Sequence, residues 1–147
     1  MDRHLSLRIP PDPRLGRTVR GQIVAFAAPL AIPPADLADF LSAVGEALAN
    51  AIEHSGVHEE IDVTVWLAPD GHLVATVADR GVGFEPPAAT SDTRRPEMLA
   101  ERGRGIGIMQ TCSHRFSISS APGRGTVVTI GRRVTAITPN PEPVLRQ

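Results

Sequence analysis

The sequence predicts an α+β domain, a two-layer α/β sandwich. In it a mixed, mainly antiparallel sheet of about five strands carries three helices on one face. Three observations predict this. Residues 61–67 and 72–78 alternate apolar and polar on either side of Ala68-Pro69-Asp70-Gly71, which is hairpin chemistry. Residues 34–54 repeat apolar side chains at steps of three and four, the pattern of an amphipathic helix. Residues 115–121 and 125–132 alternate around Pro122-Gly123-Arg124-Gly125, a second hairpin.

The elements follow in chain order. Residues 3–9 alternate as a short strand with Leu5, Leu7 and Ile9 on one face, and Pro10, Pro11 and Pro13 end it. From about Arg14 to Pro29, Leu15, Val19, Ile23, Phe26 and Ala27 keep helical spacing, with Arg17 and Arg20 among the polar positions. Pro33-Pro34 interrupts the chain, and Pro34 suits the first turn of the next helix. That helix runs to His54, where Ser55-Gly56 supplies a stop. Its apolar stripe is Leu37, Phe40, Leu41, Val44, Leu48, Ala51 and Ile52. After the first hairpin comes Asp79-Arg80-Gly81-Val82-Gly83-Phe84. From Glu85 to about Arg102, Pro, Ala, Thr, Ser and charge replace the apolar periodicity. A loop of about eighteen residues is long for a compact domain, and such loops tend to be lids or binding segments. Gly103-Arg104-Gly105-Ile106-Gly107 then leads into a helix over about 106–114. The tail from Thr135, with its prolines, reads as frayed, so residues 1–134 form one domain and 135–147 a flexible end.

The totals exclude several classes of function. The 147 residues are enough for one domain, and 41% hydrophobic content is enough for its core. A formal net charge of −1 removes the electrostatic footprint of direct nucleic-acid binding. Four Phe, one Trp and no Tyr argue against a stacking platform for bases. The first residues lack an apolar signal core, and no run approaches a membrane span, so a soluble, cytoplasmic protein without membrane contact is expected. Met1 leading straight into a strand fits a complete small protein. Cys112 is the sole thiol and reads as a core residue, which rules out an internal disulfide. All fifteen Lys-plus-Arg positions are Arg, so neither a Walker-type phosphate-loop lysine nor a Schiff-base lysine exists.

The chemistry centres on the helix at 34–54. Glu46, Asn50 and His54 stand four residues apart and share one face, turned away from the apolar stripe. A carboxylate there can accept a proton from a nucleophile, and an amide oxygen suits a hard cation such as Mg²⁺. A solvated polar face also fits these residues when they are taken alone. His54 and His58 are four apart, but no third metal ligand is evident and Gly56 falls between them. Asp79-x-Gly81-x-Gly83 follows a strand: an acid there can accept a hydrogen bond from an exocyclic amine while the glycines let a flat base approach. A tight turn fits that motif equally well. The run Gly103-x-Gly105-x-Gly107 opens a helix, and helix N-termini favour phosphate. It is not a dinucleotide fingerprint, because a polar loop precedes it and no acid follows between Glu101 and Glu142.

The order of these pieces resembles the GHKL (Bergerat-fold) ATPase superfamily, whose members include gyrase, Hsp90, histidine kinases and MutL. The resemblance covers about residues 3–133. The stretches 46–54 and 103–109 look most like the anti-sigma factor serine-protein kinase branch. By that resemblance Asn50 holds Mg²⁺ bridging the phosphates of ATP, Glu46 is the catalytic base and Asp79 reads the adenine amino group. The resemblance also implies that Gly81, Gly83, Gly103, Gly105, Ile106 and Gly107 shape the nucleotide pocket and lid, and that Thr126, after Gly125, supports Asp79 through water. Arg104 is placed to meet phosphate bidentately; a solvated lid arginine fits the sequence as well.

The function this implies is an ATP-dependent serine-protein kinase acting as an anti-sigma factor. It would phosphorylate a STAS-type anti-sigma factor antagonist and sequester a sigma factor, with Mg²⁺ and ATP as cofactors. Homodimerisation also occurs among the similar kinases. Arg17 and Arg20 are candidates for partner contact, beside the plainer reading of a solvated helix face. Two other readings remain open: a non-catalytic ATP-binding regulatory module, and the catalytic domain of a two-component histidine kinase. Against the second, no helix hairpin carrying a phosphoacceptor histidine precedes the first helix.

Overall fold

The computed structural model describes residues 3–54, 59–81 and 105–134. Five strands form one sheet: β1 (His4–Ile9), β2 (Ile61–Leu67), β3 (His72–Asp79), β4 (Arg115–Ser120) and β5 (Thr126–Arg133). Their spatial order is β1-β2-β3-β5-β4, and all four pairings are antiparallel. Among the described residues three α-helices accompany them: α1 (Gly16–Ala27), α2 (Pro34–His54) and α3, described over 105–111. The expected α+β sandwich is therefore present, with a five-stranded sheet that is wholly antiparallel rather than mixed among the described residues.

Alternation along each strand decides which face is covered. One face presents Leu5, Leu7, Val63, Val65, Ala75, Val77, Val128 and Ile130, and these join the core beneath the helices. The other face runs across all five strands as Ser6, Thr64, Thr76, Thr129 and Ser117, each opposite the next in register. A row of hydroxyls tolerates water, so this face needs no second layer. α2 lies over β3 and β5, and α1 packs on the flank of α2 and on β1. Phe40, fully buried, anchors α2. Truncating such a residue to alanine removes about 3–5 kcal/mol.

Helix ends differ from the sequence reading where proline and tertiary bonds act. The first helix is α-helical only over Gly16–Ala27, with 3₁₀ turns at Pro13–Leu15 and Ala28–Leu30. Asp12 caps the first of these, accepting from the Arg14 backbone N–H at 2.9 Å. α3 closes at 111, before the expected 114, because the His114 N–H donates to the Gly131 carbonyl at 2.8 Å and starts the next strand. Cys112 is half-buried and packs against the core.

Candidate functional site

Three small or apolar residues of α2, Ala43, Ala47 and Ala51, are buried, while Gly45, Ala49 and Glu53 on the opposite side are exposed. Glu46, Asn50 and His54 fall between these extremes, half-buried on one flank. Helical spacing thus aims a carboxylate, an amide and an imidazole along the margin of the sheet.

The sheet supplies the other wall. Asp79 is the last residue of β3 and pairs with Thr126, which pairs with Ser120. Alternation sets all three on the helix-covered face, one step beyond Val77, Val128 and Ile118. The apolar rows therefore give way to an acid and two hydroxyls at one end of the sheet. A single cavity collects Ala47, Asn50, Ala51 and His54 from α2 with Val77, Asp79, Ile118, Thr126 and Val128 from the sheet.

Local bonds fix these groups. Asp79, 9% exposed, accepts a hydrogen bond on Oδ1 from the Gly81 backbone N–H at 2.8 Å. The Ser120 and Thr126 hydroxyls are 2.8 Å apart, and Ser120 Oγ also donates to the Gly125 carbonyl at 3.1 Å. Gly125 has φ +77, and any side-chain carbon there would overlap the Asp79 carbonyl oxygen. Only glycine lets this turn close onto Asp79.

Glu46 lies one helical turn before Asn50, outside the lining of that cavity. Gly105, buried and the first described residue of α3, faces both. A side-chain carbon at position 105 would stand 3.0 Å from Glu46 Oε1 and 3.7 Å from Asn50 Nδ2. The carboxylate and the amide thus face the same position of α3. Among the described residues no cluster of three or more His, Cys, Asp or Glu is arranged to hold a metal. A cation here would take a protein oxygen from Asn50 and the rest from a ligand and water, which is how Mg²⁺ is commonly held beside phosphates. Apolar walls with one buried acid suit a flat heterocycle bearing an amine.

The other expected site residues divide. Gly81 is buried and bonded to Asp79. Ile106 is 8% exposed and belongs to the core, so only its backbone is available to a ligand. Gly107 is half-buried with open space at its α-carbon. Gly83, Gly103, Arg104, His58 and the expected lid lie outside the described residues. Arg17 and Arg20 are exposed on α1. Arg20 borders a separate concavity of about 620 Å³ on the other flank of α2, floored by Val19, Ile23, Leu41, Val44 and Leu48. The sequence reading gave no role to His54 or Ser120. The first carries a signal in its spacing from Asn50; the second follows from Thr126 once the hairpin register is set.

Known proteins resemble this chain in sequence and fold. Residues 9–132 match the family described as Histidine kinase-like ATPase domain. An anti-sigma F factor of Pasteuria penetrans is 32% identical over 123 residues, covering 78% of this chain and 79% of its own. An anti-sigma F factor of Caldanaerobacter subterraneus subsp. tengcongensis is 30% identical over 118 residues, covering 78% of this chain and 82% of its own. Among solved structures, the RsbU and RsbW domains of Rv1364c from Mycobacterium tuberculosis superpose with TM-score 0.68 at 26% identity. That match covers 90% of this chain but 32% of the larger one. The SiaB-SiaC complex from Pseudomonas aeruginosa shares the fold, with TM-score 0.61 at 16% identity over 86% of this chain and 88% of that one.

Proposed function

This chain belongs to the histidine kinase-like ATPase domain family, and on that premise we propose that it is an ATP-dependent protein-serine kinase acting as an anti-sigma factor. Its substrate is a serine of a STAS-type antagonist, and the partner it sequesters is a sigma factor. The observation that carries this reading is the shared pocket: Asn50 and Asp79 line one cavity, and Gly105 faces both Asn50 and Glu46. The anti-sigma names of the relatives support the choice of partners.

The residues divide the work. Asp79 accepts a hydrogen bond from the adenine amino group, with Thr126 and Ser120 beside it and Gly81 fixing one carboxylate oxygen. Ala47 and Ala51 line the cavity beside Asp79 with small side chains. Asn50 would hold Mg²⁺, which would supply neutralisation of phosphate charge. Glu46 takes the proton from the attacking serine hydroxyl as its oxygen bonds to the γ-phosphorus. The bond from that phosphorus to the β–γ bridging oxygen breaks, and ADP leaves. Gly83, Gly103, Arg104, Ile106 and Gly107 are assigned to the phosphates by the sequence resemblance, Ile106 and Gly107 through their backbone.

Arg17 and Arg20 serve the partner. No acidic residue lies between Asp12 and Asp36, so α1 itself is positively charged, and its Arg20 lines the apolar concavity on α2, where Glu53 is the other charged residue. That combination favours an acidic, partly apolar partner surface.

The test is transfer of label from γ-labelled ATP to the antagonist. Wild type labels serine and Glu46→Ala loses at least about a hundredfold in rate, the size expected for a general base. ATP-dependent partner binding with no labelled serine would overturn the kinase reading and leave a regulatory ATP-binding module.

A further inference from the structure

One guanidinium ties together three elements that the nucleotide reading keeps apart. Arg132 sits on β5 with its side chain 15% exposed. Its Nε and Nη2 donate to Asp36 Oδ1 at 3.2 and 3.0 Å, and Nη2 also lies 3.1 Å from Asp39 Oδ2. Both acids belong to the first turns of α2. Its Nη1 donates to the Cys112 carbonyl at 3.2 Å, just past the end of α3. A cation suits that carbonyl, since the last turn of a helix leaves acceptors without intrahelical partners.

The consequence lies at the opposite ends of the two helices. α2 carries Asp36 at its start and Glu46 and Asn50 farther along, about 15 and 21 Å on at 1.5 Å per residue. α3 carries Cys112 beyond its last turn and Gly105 as its first described residue, where a side-chain carbon would stand 3.0 Å from Glu46 Oε1 and 3.7 Å from Asn50 Nδ2. The helices therefore run antiparallel, clamped at one end by Arg132 and meeting at the candidate nucleotide site at the other. Between these points Ile106 and Met109 hold α3 to the core by apolar contact, which is non-directional. The chain just past α3 is also tied to β5, by the His114 N–H to the Gly131 carbonyl at 2.8 Å and the Arg133 N–H to His114 Nδ1 at 2.9 Å; the guanidinium adds a directional link from this end to α2, with fixed donor geometry to each partner.

We infer that Arg132 is a positioning residue for the nucleotide site: by clamping the far end of α3 to α2, it sets the spacing between Gly105 and the Glu46–Asn50 face. This rests on the nucleotide reading and adds to it a residue that touches no ligand. Lysine cannot replace arginine here, because one ammonium can reach the acids but cannot also span to the Cys112 carbonyl with the same geometry.

Arg132→Met and Arg132→Lys, compared with wild type, test it. Three measurements are needed: Mg-ATP affinity by calorimetry, melting temperature without nucleotide, and amide hydrogen exchange without nucleotide. The expected result for Arg132→Met is a rise of about tenfold in Kd, within the usual span of coupling between sites. Its exchange rises selectively over 106–113 rather than over β1 to β3. Arg132→Lys recovers most of the melting temperature through the Asp36 pair but keeps the raised Kd. A merely structural arginine would lower the melting temperature, raise exchange evenly and leave Kd at the wild-type value, and that result overturns the inference. If Arg132→Met does not fold, Arg132→Lys decides by the same split between melting temperature and Kd. Wild type that binds no Mg-ATP overturns the nucleotide reading, and the positioning role with it; wild type and both variants binding alike overturns the positioning role alone.

Discussion

Gly105 stands against Glu46 so closely that a methyl group at 105 would lie 3.0 Å from the carboxylate oxygen. The atom in the way is the free end of a flexible side chain, so the fold can yield by turning Glu46 aside. Gly105→Ala is therefore expected to change stability by only about 0.5–1 kcal/mol, the helix preference of alanine partly offsetting the crowding. Phosphoryl transfer should nevertheless fall by about tenfold or more, because the base leaves its line of attack. Denaturant unfolding alongside the labelled-ATP assay checks both halves.

Gly125 meets a different neighbour and should fail differently. Its φ of +77 and its contact with the Asp79 carbonyl leave no side chain room to move, since the obstacle is backbone. Gly125→Ala should lose about 1–2 kcal/mol from the left-handed conformation alone, and more from the overlap. Nucleotide affinity should fall with it, because Asp79 shifts. A midpoint of urea unfolding equal to wild type would contradict this.

Asp70 makes stability depend on pH. Its carboxylate accepts from Arg115 Nη2 at 2.7 Å and from the His72 backbone N–H at 3.1 Å. The Arg115 bond first, and the His72 N–H next, hold its carboxyl well below the ordinary carboxylate range. A depressed folded-state pKa stabilises the fold above the unfolded value of about 3.9 and loses that contribution as pH falls through the folded one. Asp70→Asn should thus be less stable than wild type at pH 7, with the gap narrowing steadily below about pH 4. A gap independent of pH between 7 and 2 would contradict this account. The group is solvated, so the effect is small.

Arg20→Glu separates partner binding from nucleotide binding. Arg20 is exposed and touches neither the cavity nor its walls. Reversing its charge should change stability by less than about 0.5 kcal/mol and leave Mg-ATP affinity unchanged. Affinity for the sigma factor should fall, mainly in association rate and more at low salt. Surface plasmon resonance at two ionic strengths reads both; unchanged association would remove α1 from the partner surface.

Much of this molecule was legible in the chain. The strand at 61–67 and the helix at 34–54 fall where the sequence reading set them, because local periodicity and turn chemistry decide them. Asp79 was expected just after its strand but is its last residue, since Thr126 of β5 pairs with it. That partner is 47 positions away in sequence, and no local pattern records it. Ser120 was missed for the same reason: its role depends on facing Thr126 across a hairpin. Glu46 and Asn50 were legible as one helical face, but the position facing both is Gly105, supplied by a distant element. The Arg132 clamp reaches Asp36 across 96 positions, and an arginine in an alternating strand gives no hint of it.

The central claim is that one pocket, with Asn50 and Asp79 in it and Glu46 at its edge, takes a magnesium-bound purine triphosphate. Calorimetric titration of Mg-ATP into wild type and Asn50→Ala tests it most directly. The account predicts saturable binding by wild type and at least about tenfold weaker binding by the variant, or about 1.4 kcal/mol. Equal affinities, or no binding by wild type, would contradict it.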